Sequence, residues 1–412
     1  MKGAITSPNL FSKTRAEHPR HGILPSQEIW ELINNGKVRS SPAIKEEQVQ
    51  PASIDLRLGK VAYRVEASFL PNRSTTISGQ IRTLQIEQLD LSEPALLNKG
   101  HVFIIPLIES LALPRDMSAK ANPKSTTGRL DIFTRLMTEG GNEFEQVPSG
   151  YTGALYVEVV PRTFPIIVTA GTKLNQLRFW RGSPQRDDEY LRSLARRQHL
   201  VYYESANGNG EKVVAADLDA HIVAAPASIG GGLRLSVDLE DKDKHSVVAY
   251  KAKRRTPPID LSKAGAYDPS EYWEVIYSRR LERFVLQPGD FYLLASKERI
   301  GVPPDHAAEM EQYDPSLGEF SVHYAGFFDP GFGYGSAGEI KGTKAVLEVR
   351  AHEVPILLED RQTVGRLNYY KMSDVPEKLY GQAIGSSYQQ QGLTLSKQFK
   401  PVEAARIAVP KS

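Results

Sequence analysis

Short apolar runs separated by glycine and proline recur along most of the chain, at 102–106, 153–160 and 174–180. Runs of that length between turn residues predict strands, and their number predicts an all-β sandwich or barrel. At 54–58 the alternation is strict. Ile54, Leu56 and Leu58 fall on one face, and Asp55 and Arg57 fall on the other as an exposed ion pair. Helical spacing shows in two places. Ile29, Trp30, Leu32 and Ile33 predict a short helix with Ser26 as N-cap and Gly36 in the left-handed position after its end. Tyr190, Leu191, Leu194 and Ala195 predict a charged connecting helix within 185–199, followed by a hairpin turn at Gly208-Asn209-Gly210. Residues 1–22 are polar and basic without an apolar core, which predicts a loose tail rather than a signal peptide.

The 412 residues exceed one compact core, so two domains are expected. An internal repeat says how they are related. Gly100-His101-Val102-Phe103-Ile104 is echoed by Gly289-Asp290-Phe291-Tyr292-Leu293, and Leu113-Pro114-Arg115-Asp116 by Val302-Pro303-Pro304-Asp305. Tyr156-Val157-Glu158-Val159 is echoed by Val346-Leu347-Glu348-Val349. An offset kept near 190 over separated blocks predicts two tandem copies of one β domain. The expected divisions are a tail at 1–22, a first barrel at 23–205 and a second at 206–412.

Composition removes several chemistries. With no cysteine, there is no disulfide, no thiol nucleophile and no cysteine-ligated zinc. The 51 basic and 49 acidic residues give no global field for nucleic acid or a membrane surface, and no apolar run is long enough to span a bilayer. A cytoplasmic setting is expected. The pattern Gly333-Tyr334-Gly335-Ser336-Ala337-Gly338 fits a dinucleotide fingerprint, but a strand rather than a helix is predicted after it, so it is rejected.

The two halves differ where chemistry is expected. The first carries Lys124-Ser125-Thr126-Thr127-Gly128-Arg129, two cations and three hydroxyls suited to phosphate oxygens. The corresponding stretch of the second, Glu311 to Leu317, is acidic and could not hold a triphosphate. Conversely, the loop at 325–333, with Asp329-Pro330-Gly331, answers to 145–151, which has no such turn. Each half keeps what the other has lost, which points to one composite site, within a chain or between chains.

The helix at 26–34, PASIDLRLG at 51–59, KSTTGRL at 124–130, HYAGFFDPGF at 323–332, VLEV at 346–349 and SSYQQQGLTLSK at 386–397 together resemble the dCTP deaminases of the dUTPase-like family. The resemblance spans most of 22–400 as two tandem copies. It implies distorted jelly-roll barrels, a homo-oligomer, dCTP as substrate, dTTP as a possible feedback ligand and Mg²⁺ arriving with the triphosphate, with no catalytic zinc. It places Glu348 at the catalytic acid/base. Ser125 and Arg129 stand where the water and tetrahedral centre or phosphates are supported, and Lys124 and Thr126 in the phosphate motif. Ala325 stands where backbone reads the pyrimidine, Asp329 where the deoxyribose is held, and Tyr388 and Gln391 in a closing segment. Lys124 departs from the usual arginine, which gives up the bidentate fork and keeps the charge.

Exchanging a 4-amino group for oxygen needs an activated water and a proton for the leaving amine, and without zinc one carboxylate must serve both. Glu348 shares the polar face of its strand with Lys344, Val346 and Arg350; without the resemblance it reads as an exposed strand carboxylate. Glu158, its counterpart, is expected to be structural. Deamination to dUTP and ammonia is the leading expectation. The alternatives are a bifunctional enzyme giving dUMP, a plain dUTPase, and a nucleotide-binding regulator without turnover.

Overall fold

The strands Val102–Ala112 and Thr152–Pro161 pair antiparallel at the centre of the first half. Ile132–Thr138 flanks them on one side and Val61–Val65 on the other. A second sheet places Lys173–Arg181 between Ile54–Arg57 and Met117–Pro123. The second half repeats this wiring. Phe291–Ile300, 189 residues beyond Val102, pairs with Thr343–Ala351, and Thr363–Lys371 lies between Leu233–Ser236 and His306–Glu311. The computed structural model describes residues 21–72, 74–182, 187–207, 210–215, 228–240, 247–277, 283–311, 320–322, 326–351, 353–381 and 392–402. Within them the fold is all-β with a few short helices, as the periodicity predicts.

Packing crosses the repeat boundary. The first core runs from Leu24 to Phe179 and also takes in Tyr250, Trp273, Phe291, Leu293, Leu395 and Phe399. Ile259–Asp260 adds a parallel strand to Ile166–Val168 of the first half. Phe164 meets the edges of Tyr272 and Trp273 with ring centroids 5.9 and 5.3 Å apart, and Phe399 closes the same cluster. The second core is separate, from Leu191 to Tyr369.

Two local expectations are corrected, and one helix is new. The first helix is Ser26–Asn34, but Pro25 is its N-cap residue and Ser26 lies buried in the first turn; Gly36 does take a left-handed φ of 64°. Proline fits there because the first helical turn leaves backbone N–H groups without intrahelical partners in any case. Secondly, Asp55 and Arg57 are neither exposed nor paired with each other, for all four residues of Ile54–Arg57 are buried. Arg57 donates from Nε to Glu109 at 2.6 Å and from Nη2 to the Pro42 carbonyl at 2.8 Å, while Asp55 turns to Lys124. Alternation puts both on the polar face, but the loop at 40–43 and the phosphate motif cover that face. A helix at Ile77–Leu84, capped by Thr76 accepting from the Gly79 N–H at 3.0 Å, was not anticipated. The connecting helix is Asp188–Arg197. Strands Val201–Asn207 and Gly210–Ala215 pair with Asn207 opposite Gly210; the expected turn residues 208 and 209 lie outside the described residues. The glycine-rich stretch at 333–338 forms turns and leads into Thr343–Ala351, not a helix.

Candidate active site

The stretch Lys124 to Arg129 is pinned before it reaches the cavity. Lys124 N–H and the Thr127 hydroxyl both donate to the Leu174 carbonyl at 2.8 Å, and Ser125–Gly128 makes one helical turn. That turn leaves Ser125 exposed and buries Thr127, Gly128 and Arg129. Lys124 Nζ pairs with the buried Asp55.

Glu348 arrives from the other half of the chain. On Thr343–Ala351 it shares a face with Val346 and Arg350, as alternation predicts, yet it is only 7% exposed. The first half covers it. A Cβ built on Gly128 would lie 2.7 Å from both Glu348 carboxylate oxygens, so the carboxyl sits flush against the phosphate-motif backbone. Burial pushes its pKa up to about 8; the Arg129 guanidinium pulls against that shift and the Asp131 carboxylate adds to it. Two residues on, Arg350 pairs with Asp131 and donates to the Thr163 hydroxyl at 2.8 Å. The strand is therefore fixed to the 128–131 turn at two successive positions of one face.

The loop carrying Asp329 is held from the first half as well. Arg178, 1% exposed, donates to the Ala308 carbonyl at 3.0 Å, to the Phe328 carbonyl at 3.4 Å and to Asp329 Oδ1 at 3.2 Å. Its guanidinium lies 3.9 Å from the Phe327 ring centroid. Burial raises the Asp329 pKa, and Arg178 opposes the shift. The chain's end returns to the same place. The Thr394 carbonyl accepts from Arg129 Nη1 at 3.0 Å, and the Ser396 hydroxyl donates to the Thr126 carbonyl at 3.0 Å.

These elements enclose one cavity of about 740 Å³. Lys124, Ser125, Thr126, Arg129, Asp329 and Glu348 all line it, so six of the expected site residues are brought together within one chain. Ala325, Tyr388 and Gln391 lie outside the described residues, as does most of the acidic stretch at 311–317. Sequence reasoning missed Asp55, Lys173 and Gln176, which also line the cavity, and Arg178 behind it. Asp55 could have been suspected, since it lies inside the PASIDLRLG motif. Arg178 carried no signal.

The counterpart, Glu158, is fully buried and lies in a different environment. Arg135, on the neighbouring strand, donates to its Oε1 from Nε at 2.9 Å and from Nη2 at 2.6 Å. Ile104, opposite Glu158, and Met137 on the same face pack against Ile77 and Ile81 of the unanticipated helix. In the second half the equivalent of Ile104 is Leu293, opposite Glu348, and it packs into the first core instead. One face thus serves two ends: in the first half a helix caps it, and in the second it docks onto the other half and completes the cavity. Among the described residues no three His, Asp or Glu side chains come together to hold a metal ion.

Comparison with known proteins finds one family in both halves of the chain. Residues 20–183 match the family "2'-deoxycytidine 5'-triphosphate deaminase (DCD) N-terminal domain", and residues 210–399 match the C-terminal domain of that name. A protein of Beutenbergia cavernae named "dCTP deaminase, dUMP-forming" is 33% identical over 182 residues, 42% of this chain and 90% of its own length. One of Natronomonas pharaonis named "dCTP deaminase" is 36% identical over 125 residues, 29% of this chain and 59% of its own. The crystal structure of 2'-deoxycytidine 5'-triphosphate deaminase from Agrobacterium tumefaciens is 44% identical, with a TM-score of 0.77, over 86% of this chain and 99% of that one. With a family domain matched in each half and a 44% identical structure spanning both, the chain belongs to the dCTP deaminase family.

Proposed function

We propose that the protein deaminates dCTP to dUTP and ammonia in this composite cavity, with Glu348 as the proton shuttle and no zinc. The observation that carries this reading is the Glu348 carboxyl, taken from one half and buried against Gly128 and Arg129 of the other, with its pKa pushed up to about 8. Such a carboxyl holds both protonation states within reach near neutral pH. Water oxygen bonds to C4 of the base. The two water protons pass through Glu348, one to N3 and one to the amino group. The C4–N bond then breaks and ammonia leaves. Arg129 and Ser125 support the centre at which charge develops, Lys124 and Thr126 hold the phosphates, and Asp329 holds the sugar.

Zinc independence draws support from the chain's lack of cysteine, which leaves no thiolate ligand for a zinc ion. Mg²⁺ would come with the triphosphate. Asp55 is the acid that fits it, for it lines the cavity beside Lys124 and its Oδ1 is buried with no hydrogen-bond partner. There the ion would screen phosphate charge.

A second reading rests on the relatives named "dCTP deaminase, dUMP-forming": the dUTP formed would be cleaved onward to dUMP and pyrophosphate. Incubation of purified protein with dCTP and Mg²⁺, followed by separation of nucleotides, tests both. Equal amounts of dUTP and ammonia are expected. Recovery of dUMP promotes the second reading, and unchanged dCTP overturns both.

A further inference from the structure

We propose that Lys173 is a second phosphate-gripping cation of this site, one that the KSTTGR motif does not contain. The inference rests on the dCTP reading and extends it to the residues that hold the triphosphate. Lys173 lines the same cavity as Lys124, Ser125 and Glu348. A closed turn presents it. Thr172 Oγ1 accepts from the Thr169 N–H at 3.1 Å, Gly171 takes a φ of +87°, and the Gly171 N–H donates to the Leu58 carbonyl at 2.8 Å. The next residue, Leu174, supplies the carbonyl that anchors both Lys124 N–H and the Thr127 hydroxyl. Lys124 is thus anchored to the residue that follows Lys173, and both lysines line the one cavity.

Charge accounting leaves Lys173 available. Asp55 is the acid that acts on it most strongly, and the Asp55 Oδ2 already pairs with Lys124. Among the described residues Lys173 makes no ion pair, although it is half-buried. An ammonium withdrawn from water without a partner is unfavourable until an anion arrives. In keeping with that, burial lowers its pKa and neighbouring Lys124 adds to the effect, while Asp55 opposes it. The second half offers an internal control. Its equivalent position is Thr363, after a turn with Asp360 and Arg361, so the lysine is absent from the half whose phosphate motif is also lost. The alternative role for Lys173 is to balance Asp55 and Glu47 with no ligand contact.

Calorimetry separates these roles in the Glu348→Gln background, where turnover is expected to be slowed at least about a hundredfold. The probes are dCTP and inorganic tripolyphosphate, with and without Lys173→Met. Loss of one charge-assisted contact is expected to weaken both about ten- to hundredfold, and Lys173→Arg should keep most of the affinity. Unchanged affinity for both probes overturns the proposal, as does equal weakening by Met and Arg. If the parent protein failed to deaminate dCTP, the catalytic reading would fall and tripolyphosphate would still decide the cation's role. If deamination stood and Met changed nothing, only this inference would fall.

Discussion

Replacing Glu348 by glutamine changes one atom's chemistry at nearly constant volume, so it tests whether the buried carboxyl is both catalytic and held protonated. The folded-state pKa of about 8 lies well above the ordinary 4.5. A carboxyl with a raised folded pKa contributes stability that is fully present below pH 4.5 and is lost as pH rises through 8. In the parent protein the unfolded chain ionises first, and over pH 6 to pH 8 this group alone should cost about 2 kcal/mol of folding stability. Glutamine has no such dependence. Urea unfolding followed by tryptophan fluorescence at the two pH values, on both proteins, isolates the difference, because the other raised acids, Glu145 at about 8, Glu298 at about 7 and Asp329, are common to both. The variant should gain about 2 kcal/mol on the parent between pH 6 and pH 8. Its deamination rate should fall by about 10²- to 10⁴-fold. A stability gap that does not change with pH would refute the buried, protonated carboxyl; retained turnover would refute its catalytic role.

The other expectations follow from the same contacts. Glu158→Gln should keep deamination near the parent rate, while leaving Arg135 without its anion lowers stability by about 1–3 kcal/mol, read from denaturation midpoints; loss of turnover in a folded variant would show that the wrong half was chosen. Arg178→Met removes the donors to Phe328 and Asp329, so KM for dCTP should rise and the preference for dCTP over CTP should fall, measured by steady-state kinetics on both nucleotides. An Arg178 that only bridges the halves would lower the melting temperature and leave that preference intact.

Leucines, valines and isoleucines at period two, turn residues between them and an offset near 190 were enough to read an all-β fold built twice. The complementary losses were also legible, the cationic hydroxyl loop of 124–129 having no equal at 311–317 and the Asp-Pro-Gly turn of 325–333 none at 145–151, because residue types alone show them. Alternation further told which residues share a face with Glu348. It could not tell what covers that face. Glu158 and Glu348 occupy the same place in the repeat, yet an arginine and a helix close one while the other half of the chain closes the other.

Asp55 and Arg57 show the same limit at short range. Period two assigned them to the polar face, and burial there followed from Lys124 and Glu109, which lie 69 and 52 residues away. Arg178 lies 151 residues before the aspartate it holds. Strands and the chemical character of each loop could be read along the chain, since they depend on neighbours a few positions apart, and the repeat from comparing its two halves. The burial of Glu348 against Gly128 could not, because a carboxyl's surroundings are set by whatever chain segment packs over it, and no local pattern encodes that partner.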